Sequence, residues 1–215
     1  MNGRAGLQFR LPKRRSALGL LLLPALLSQG ALVRGEDAAA GVTPTPFPLP
    51  AKLSATVTVI NAPAGGIVRL RMTIERWSTV EDRKKLFEAL TAKGTPGLVE
   101  AMESIEMGYV QVEDNLRWPI RVATTWKKGD DVMVRLATNR PIGIREGMYD
   151  TRSSDYPIGF IEFKLPPEGK GEGSLLAAVQ VGFDKEGRIA VRSLPSNTGP
   201  QQVHNVTLQK PKDKD

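Results

Sequence analysis

Apolar and polar residues alternate along most of the chain beyond Leu53. Across residues 66–76, Val68, Leu70, Met72 and Ile74 fall on one face, and Arg69, Arg71, Thr73 and Glu75 on the other. A period of two with one wet face marks a half-buried β-strand. The same alternation puts Leu53, Ala55, Val57 and Val59 on one side of residues 53–60, and Val132, Val134 and Leu136 opposite Met133 and Arg135. Ile161, Phe163 and Leu165 stand opposite Glu162 and Lys164. Leu175, Ala177, Val179, Val181 and Phe183 share one side of residues 175–183. Shorter strands fit residues 116–126, 188–194 and 202–209, and Gly108-Tyr109 opens another extended segment.

The connections between the later strands are short and rich in turn residues. Lys127-Lys128-Gly129-Asp130, the glycine-rich stretch from Gly169 to Gly173 and Asp184-Lys185-Glu186-Gly187 read as hairpin loops. Asn197-Thr198-Gly199-Pro200 joins the last two strands. Hairpin-length loops require antiparallel neighbours, so the C-terminal half is expected to be a meander of five or more strands.

The period changes once. Ser78 and Glu81 have capping-box spacing ahead of Val80, Leu86, Phe87 and Leu90, with Glu81 to Lys85 on the outer face. Gly94 is a natural stop, and Thr95-Pro96 then opens a second, shorter helix to about Glu103. The expected fold is therefore α+β and mainly β. It is a single antiparallel curved sheet, barrel-like or a sandwich, with a two-helix insertion after the second strand.

The chain ahead of this domain has a different composition. A basic stretch ending at Arg15 precedes an apolar run from Ala17 to Leu27, broken by Ser28, Gln29 and Gly30. That is the layout of a secretory signal, and the run is short for a membrane span. Residues 1–35 are read as a signal peptide and 36–52 as a proline-rich linker. Residues 53–210 form one β-rich domain and 211–215 a charged tail. Pro44, Pro46, Pro48 and Pro50 alternate in the linker, which favours polyproline II. The expected location is exported, periplasmic or extracellular. Membrane contact is expected only through the signal peptide or an uncleaved N-terminal anchor.

Charge now changes the picture. The full chain carries 30 Lys and Arg against 23 Asp and Glu, a net charge of +7. Six of the basic residues and none of the acidic ones precede Glu36, which leaves 24 against 23, a net charge of +1. The general electrostatic case for a nucleic-acid partner goes with residues 1–35.

The inventory of reactive groups is narrow. There is no cysteine and one histidine, so a disulfide framework, a thiol nucleophile and a multi-histidine metal site are all excluded. His204 lies near the C-terminus with no nucleophile elbow to serve, and no glycine-rich phosphate loop follows a strand. No cofactor, metal ligand or catalytic residue is assigned. The segment from Thr138 to Pro157 is long for a connection within a compact domain. It holds Arg140, Arg145, Tyr149, Arg152, Asp155 and Tyr156, whose guanidinium forks and hydroxyls suit carboxylates, phosphates or sugars. With Trp77 and Trp126 as apolar cover, these are the candidate ligand-binding residues. An Arg140/Arg152–Asp155 network that merely pins the loop is the competing reading.

Several short motifs resemble a group of uncharacterised secreted bacterial proteins. They are Glu75-Arg76-Trp77-Ser78-Thr79, Gly108-Tyr109, Thr138-Asn139-Arg140-Pro141-Ile142, Asp155-Tyr156-Pro157, Ile161-Glu162 and Asn205-Val206. The resemblance implies an exported single domain and carries no activity or catalytic residue. Three functions compete on this footing. The first is a non-enzymatic domain binding a small apolar or amphipathic ligand. The others are an envelope interaction or structural protein and a carboxylate-dependent hydrolase.

Overall fold

The computed structural model describes residues 47–59, 66–113, 117–143, 155–196 and 198–209. The expected signal peptide, the linker up to Pro46 and the charged tail lie outside the described residues. The ordered elements are β1 (Ala51–Thr58), β2 (Ile67–Ile74), α1 (Val80–Glu103), β3 (Gly108–Val112), β4 (Arg117–Lys128), β5 (Asp131–Thr138), β6 (Ile158–Leu165), β7 (Gly171–Phe183), β8 (Ile189–Ser193) and β9 (Gln201–Leu208).

The alternation closes into a barrel. Neighbours run β6-β5-β4-β3-β2-β1-β9-β7, and β7 pairs with β6 to complete an antiparallel ring of eight strands. Closure removes the exposed edges that an open sheet would present. From β4 to β8 each strand pairs with the next, which is the expected meander. Then β9 returns to lie between β1 and β7. The inward set follows from register. Leu53 faces Met72, Met72 faces Val110 and Val110 faces Trp118 on four successive strands. Val134, Phe163, Gly173 and Val203 form a matching row on the other side. These alkyl and aromatic side chains fill the lumen as one buried core.

Bulges in two strands alter the picture drawn from alternation. Ile158 pairs with Val179 but Phe160 pairs with Leu176, so one extra residue in β7 puts Val179 on the face opposite Leu175, although alternation places them on one side. The second bulge is in β4. Ile120 pairs with Thr138 but Val122 pairs with Ala137, so one extra residue sits in β4. An extra residue in a strand sends the following side chains to the opposite face. Ile120 therefore points inward while Val122, Thr124 and Trp126 point outward, although simple alternation puts all four on one side. The glycine-rich stretch also divides differently from the expectation. β7 begins at Gly171, and the turn is confined to residues 166–170.

The helical insertion falls after β2, as expected, but as one kinked element rather than the expected pair. The helical run extends from Val80 to Glu103, while Gly94 adopts φ 65 and ψ −156 and Pro96 lies within the run. Gly94 is thus non-helical, which glycine tolerates at a positive φ, and Pro96 cannot donate a backbone bond, so the run kinks sharply there. The N-cap shifts by one residue from Ser78 to Thr79. Thr79 Oγ1 accepts from Asp82 N at 3.1 Å, and the Asp82 carboxylate accepts from Thr79 N at 2.9 Å. Ser78 is committed elsewhere: its hydroxyl accepts from Ala123 N at 3.1 Å and donates to Met107 Sδ at 3.2 Å, tying the helix start to β4. Thr79→Ala should lower stability by about 1 kcal/mol in urea denaturation, because it removes half of the capping box.

β7 is longer than its neighbours. Its first part lies in the barrel wall, and residues 180–183 pair with β8 in a separate small sheet. The β7–β8 hairpin is fastened to the outside of the barrel by Arg135 of β5. Its guanidinium pairs with Glu162 of β6, donates to Asp184 Oδ2 at 3.0 Å and donates to the Ile189 carbonyl at 3.1 Å. Trp126 is held between Arg135 and Arg188, whose guanidinium carbons lie 4.7 and 4.5 Å from its ring centroid. Phe183 meets Phe87 of α1 edge-on at 5.5 Å.

Candidate functional site

Antiparallel pairing decides which turns meet. The β4–β5 and β6–β7 turns lie at the same end of the barrel. β9 runs antiparallel to β7 and so ends where β7 begins, and β1 starts beside that end, with Leu53 opposite Leu208. A cleft of about 650 Å³ opens among these pieces. Val132 and Leu165 form part of its floor, and Pro166 and Pro167 make a stiff wall. Val206 and Leu208 of β9 complete the apolar side. Val206 is fully buried although its register slips at a bulge, where Asn205 takes a φ of 54. Asparagine is among the residues that enter this left-handed region most readily.

The polar groups of the cleft are few: Lys127 and Asp130 from the β4–β5 turn and Thr207 from β9. A mainly apolar cleft with a small number of polar groups matches the usual make-up of small-molecule sites. Phe47, just before β1, closes one side of it. Its ring contacts Trp77 edge-on at 5.8 Å. Trp77 Nε1 is buried and has no hydrogen-bond acceptor among the described residues.

None of the expected site residues that are described lines this cleft. Arg140, Asp155 and Tyr156 sit at the opposite end, flanking the long β5–β6 connection; Arg145, Tyr149 and Arg152 lie outside the described residues. Arg140 is exposed and donates to the Arg117 carbonyl at 2.8 Å. The connection begins by turning into the barrel. Pro141 O accepts from Trp118 Nε1 at 3.0 Å, and Ile142 N donates to Ala177 O at 2.9 Å. The Ile142 side chain is fully buried against Gly159, where a Cβ would overlap it. This mouth is therefore stoppered by Ile142. Of the two tryptophans, Trp77 lies one contact from the cleft through Phe47, and Trp126 is on the outer wall between two arginines.

The residues that sequence reasoning missed, Val132, Leu165, Val206 and Leu208 with Phe47, carry ordinary strand and linker signals. Only their shared end of the barrel makes them a site. Among the described residues there is no group of three His, Asp or Glu placed to hold a metal ion, and no helix is long and apolar enough to cross a membrane. Comparison of the chain with family models, with curated proteins and with solved structures gives no match, so function has to be argued from the geometry.

Proposed function

We propose that this chain is an exported, non-enzymatic domain that binds a small amphipathic ligand in the cleft between the β4–β5 turn, the β6–β7 turn and the end of β9. The observation that carries the reading is the cleft itself: about 650 Å³, apolar along Val132, Leu165 and Val206, with Lys127 and Asp130 at its polar edge. An apolar ligand body gains by leaving water against that floor, and a polar head finds one charge of either sign at the rim. The hydrolase reading needs two carboxylates within about 5–10 Å in one cleft. Asp130 is the sole carboxylate among the described lining residues, so the site favours binding over hydrolysis.

Native mass spectrometry of protein purified from its own host is expected to show a co-purifying small molecule. Filling the cleft with Leu208→Trp should weaken binding of an amphipathic dye such as anilinonaphthalene sulfonate by about tenfold, equivalent to about 1.4 kcal/mol. Melting should be unchanged, because Leu208 is 40% exposed. A clean apo mass together with no thermal shift across a lipid and metabolite panel would overturn the proposal.

A further inference from the structure

The cleft carries its two charges in a fixed order. Lys127, Val132 and Leu165 form one register row across β4, β5 and β6. Val132 shares the inward face of β5 with Val134 and Leu136, so its partner Lys127 faces inward as well. Lys127 is thus the charged end of an apolar row, at the level of the cleft floor. Asp130 lies further out, in the Gly129-Asp130 turn beyond the last pair, Lys128–Asp131. The cleft presents a cation beside its apolar floor and an anion beyond that cation.

Both charges are uncommitted. Lys127 and Asp130 are exposed, and among the described residues neither has an ion pair or a side-chain hydrogen bond, with the other or elsewhere. On the outer side of the same strand ends the charges are matched instead. Lys164 Nζ donates to Glu172 Oε1 at 3.0 Å, and Lys128 stands opposite Asp131 in register. Thr207, the remaining polar side chain of the described lining, is already bonded to Ser54 Oγ at 3.0 Å. Lys127 and Asp130 are therefore the groups left to receive a polar head.

We propose, resting on the binding reading above, that the cleft takes a single-chain zwitterionic lipid whose phosphate adjoins the chain and whose ammonium lies outermost, the order of a lysophospholipid. The chain leaves water against Val132, Leu165 and Val206. The phosphate meets Lys127, and the ammonium meets Asp130. The site selects the order of charge rather than net charge. A betaine with its ammonium beside the chain and its anionic group outermost sets like charge against like at both positions. A fatty acid satisfies Lys127 and offers Asp130 nothing.

Calorimetric titration of the full chain, below micelle concentrations, compares dodecylphosphocholine with dodecyl sulfobetaine. The two share a chain and are both net neutral, but their head dipoles are reversed. Dodecylphosphocholine is expected to bind about fivefold tighter at low ionic strength, with an advantage that shrinks as salt rises. Phosphocholine without a chain should not bind measurably. Residues 1–35 are basic and apolar, so the readout is the preference between the two heads rather than uptake as such. Lys127→Asp combined with Asp130→Lys inverts the order of charge and should invert the preference. Both side chains are exposed, so melting should not change. Leu208→Trp should weaken both ligands alike. Equal affinity for the two zwitterions, or a preference that the exchanged variant does not invert, would overturn the assigned charge order, and the cleft would stand if Leu208→Trp still weakened both. No binding of either zwitterion or of dodecyl maltoside would overturn the charge order together with the reading it rests on.

Discussion

Gly173→Ala is expected to cost about 3 kcal/mol of folding stability, read as a lower urea midpoint with an unchanged slope. Gly173 faces inward on β7, directly across from Phe163 of β6 and Val203 of β9. A Cβ at this position would overlap the Glu162 carbonyl oxygen and come within 2.5 Å of Phe163 Cα. The obstacle is backbone, which cannot rotate aside as a flexible side chain can. The barrel would have to spread between β6 and β7, at the seam that closes the ring, or displace Phe163, one of the largest fully buried side chains. Gly129→Ala is the useful contrast. That glycine has open space around its Cβ position and suffers only from its positive φ of 63 in an exposed turn. Its cost should be nearer 1 kcal/mol. Equal effects at the two sites would show that β6 and β7 do not approach as closely as described.

Arg135→Ala is expected to be the largest loss among the charged residues, about 2–3 kcal/mol. One guanidinium, with only 17% of its side-chain surface exposed, serves two carboxylates, one backbone carbonyl and one indole face. Its removal leaves Glu162 and Asp184 partly buried without that counter-charge, and partners left unsatisfied cost more than the bonds are worth when made. Arg135→Lys should recover little, because an ammonium cannot reproduce a planar fork that also stacks. The loss should be local as well as global. In hydrogen exchange, amides of β8 should lose protection before those of β1 and β2, since Arg135 fastens the hairpin and not the ring.

The same network sets an acid limit. Burial pushes the Asp184 carboxyl up, but the backbone N–H and guanidinium of Arg188 and the guanidinium of Arg135 outweigh it and hold the group below its usual 3.8. A carboxylate depressed in the folded state contributes stability that is complete above its unfolded value and is lost as pH falls through the folded one. Stability should therefore drop below about pH 4. Asp184→Asn should be less stable at neutral pH and show a flatter decline in that acid range. A parallel decline in both proteins would show that Asp184 adds nothing to it.

Much of the barrel was legible one strand at a time. Alternation at Val68–Ile74 or Ile161–Leu165 records a face, because the pleat turns each successive side chain by half a revolution. The turns at Gly129-Asp130 and Asp184–Gly187 specify antiparallel neighbours because so short a loop permits nothing else. In the second of these, Asp184 Oδ1 accepts from Glu186 N and Arg188 N, the local bonding for which aspartate suits turns. The long Arg/Tyr connection was legible as a feature of composition, but where its base packs was not. Ile142 enters the lumen only because Gly159 leaves room for it.

The sequence by itself determined which face each unbulged strand such as β1, β2 or β6 buries, the order of the hairpins, the place of the helical insertion and the near-neutral balance beyond residue 35. These follow from local period, turn chemistry and counting. Tertiary structure alone decided that the sheet closes, since β9 pairs with β1 across 153 positions of sequence at Ser54–Thr207. It turned Trp126 outward through a single extra residue in β4. It also gathered Phe47, Val132, Leu165 and Val206 into one cleft, and set Lys127 in the inward row beside them. The physical reason is common to all of these. Inter-strand register joins residues far apart in the chain, and no local pattern encodes which distant turn or charge will stand beside a given side chain.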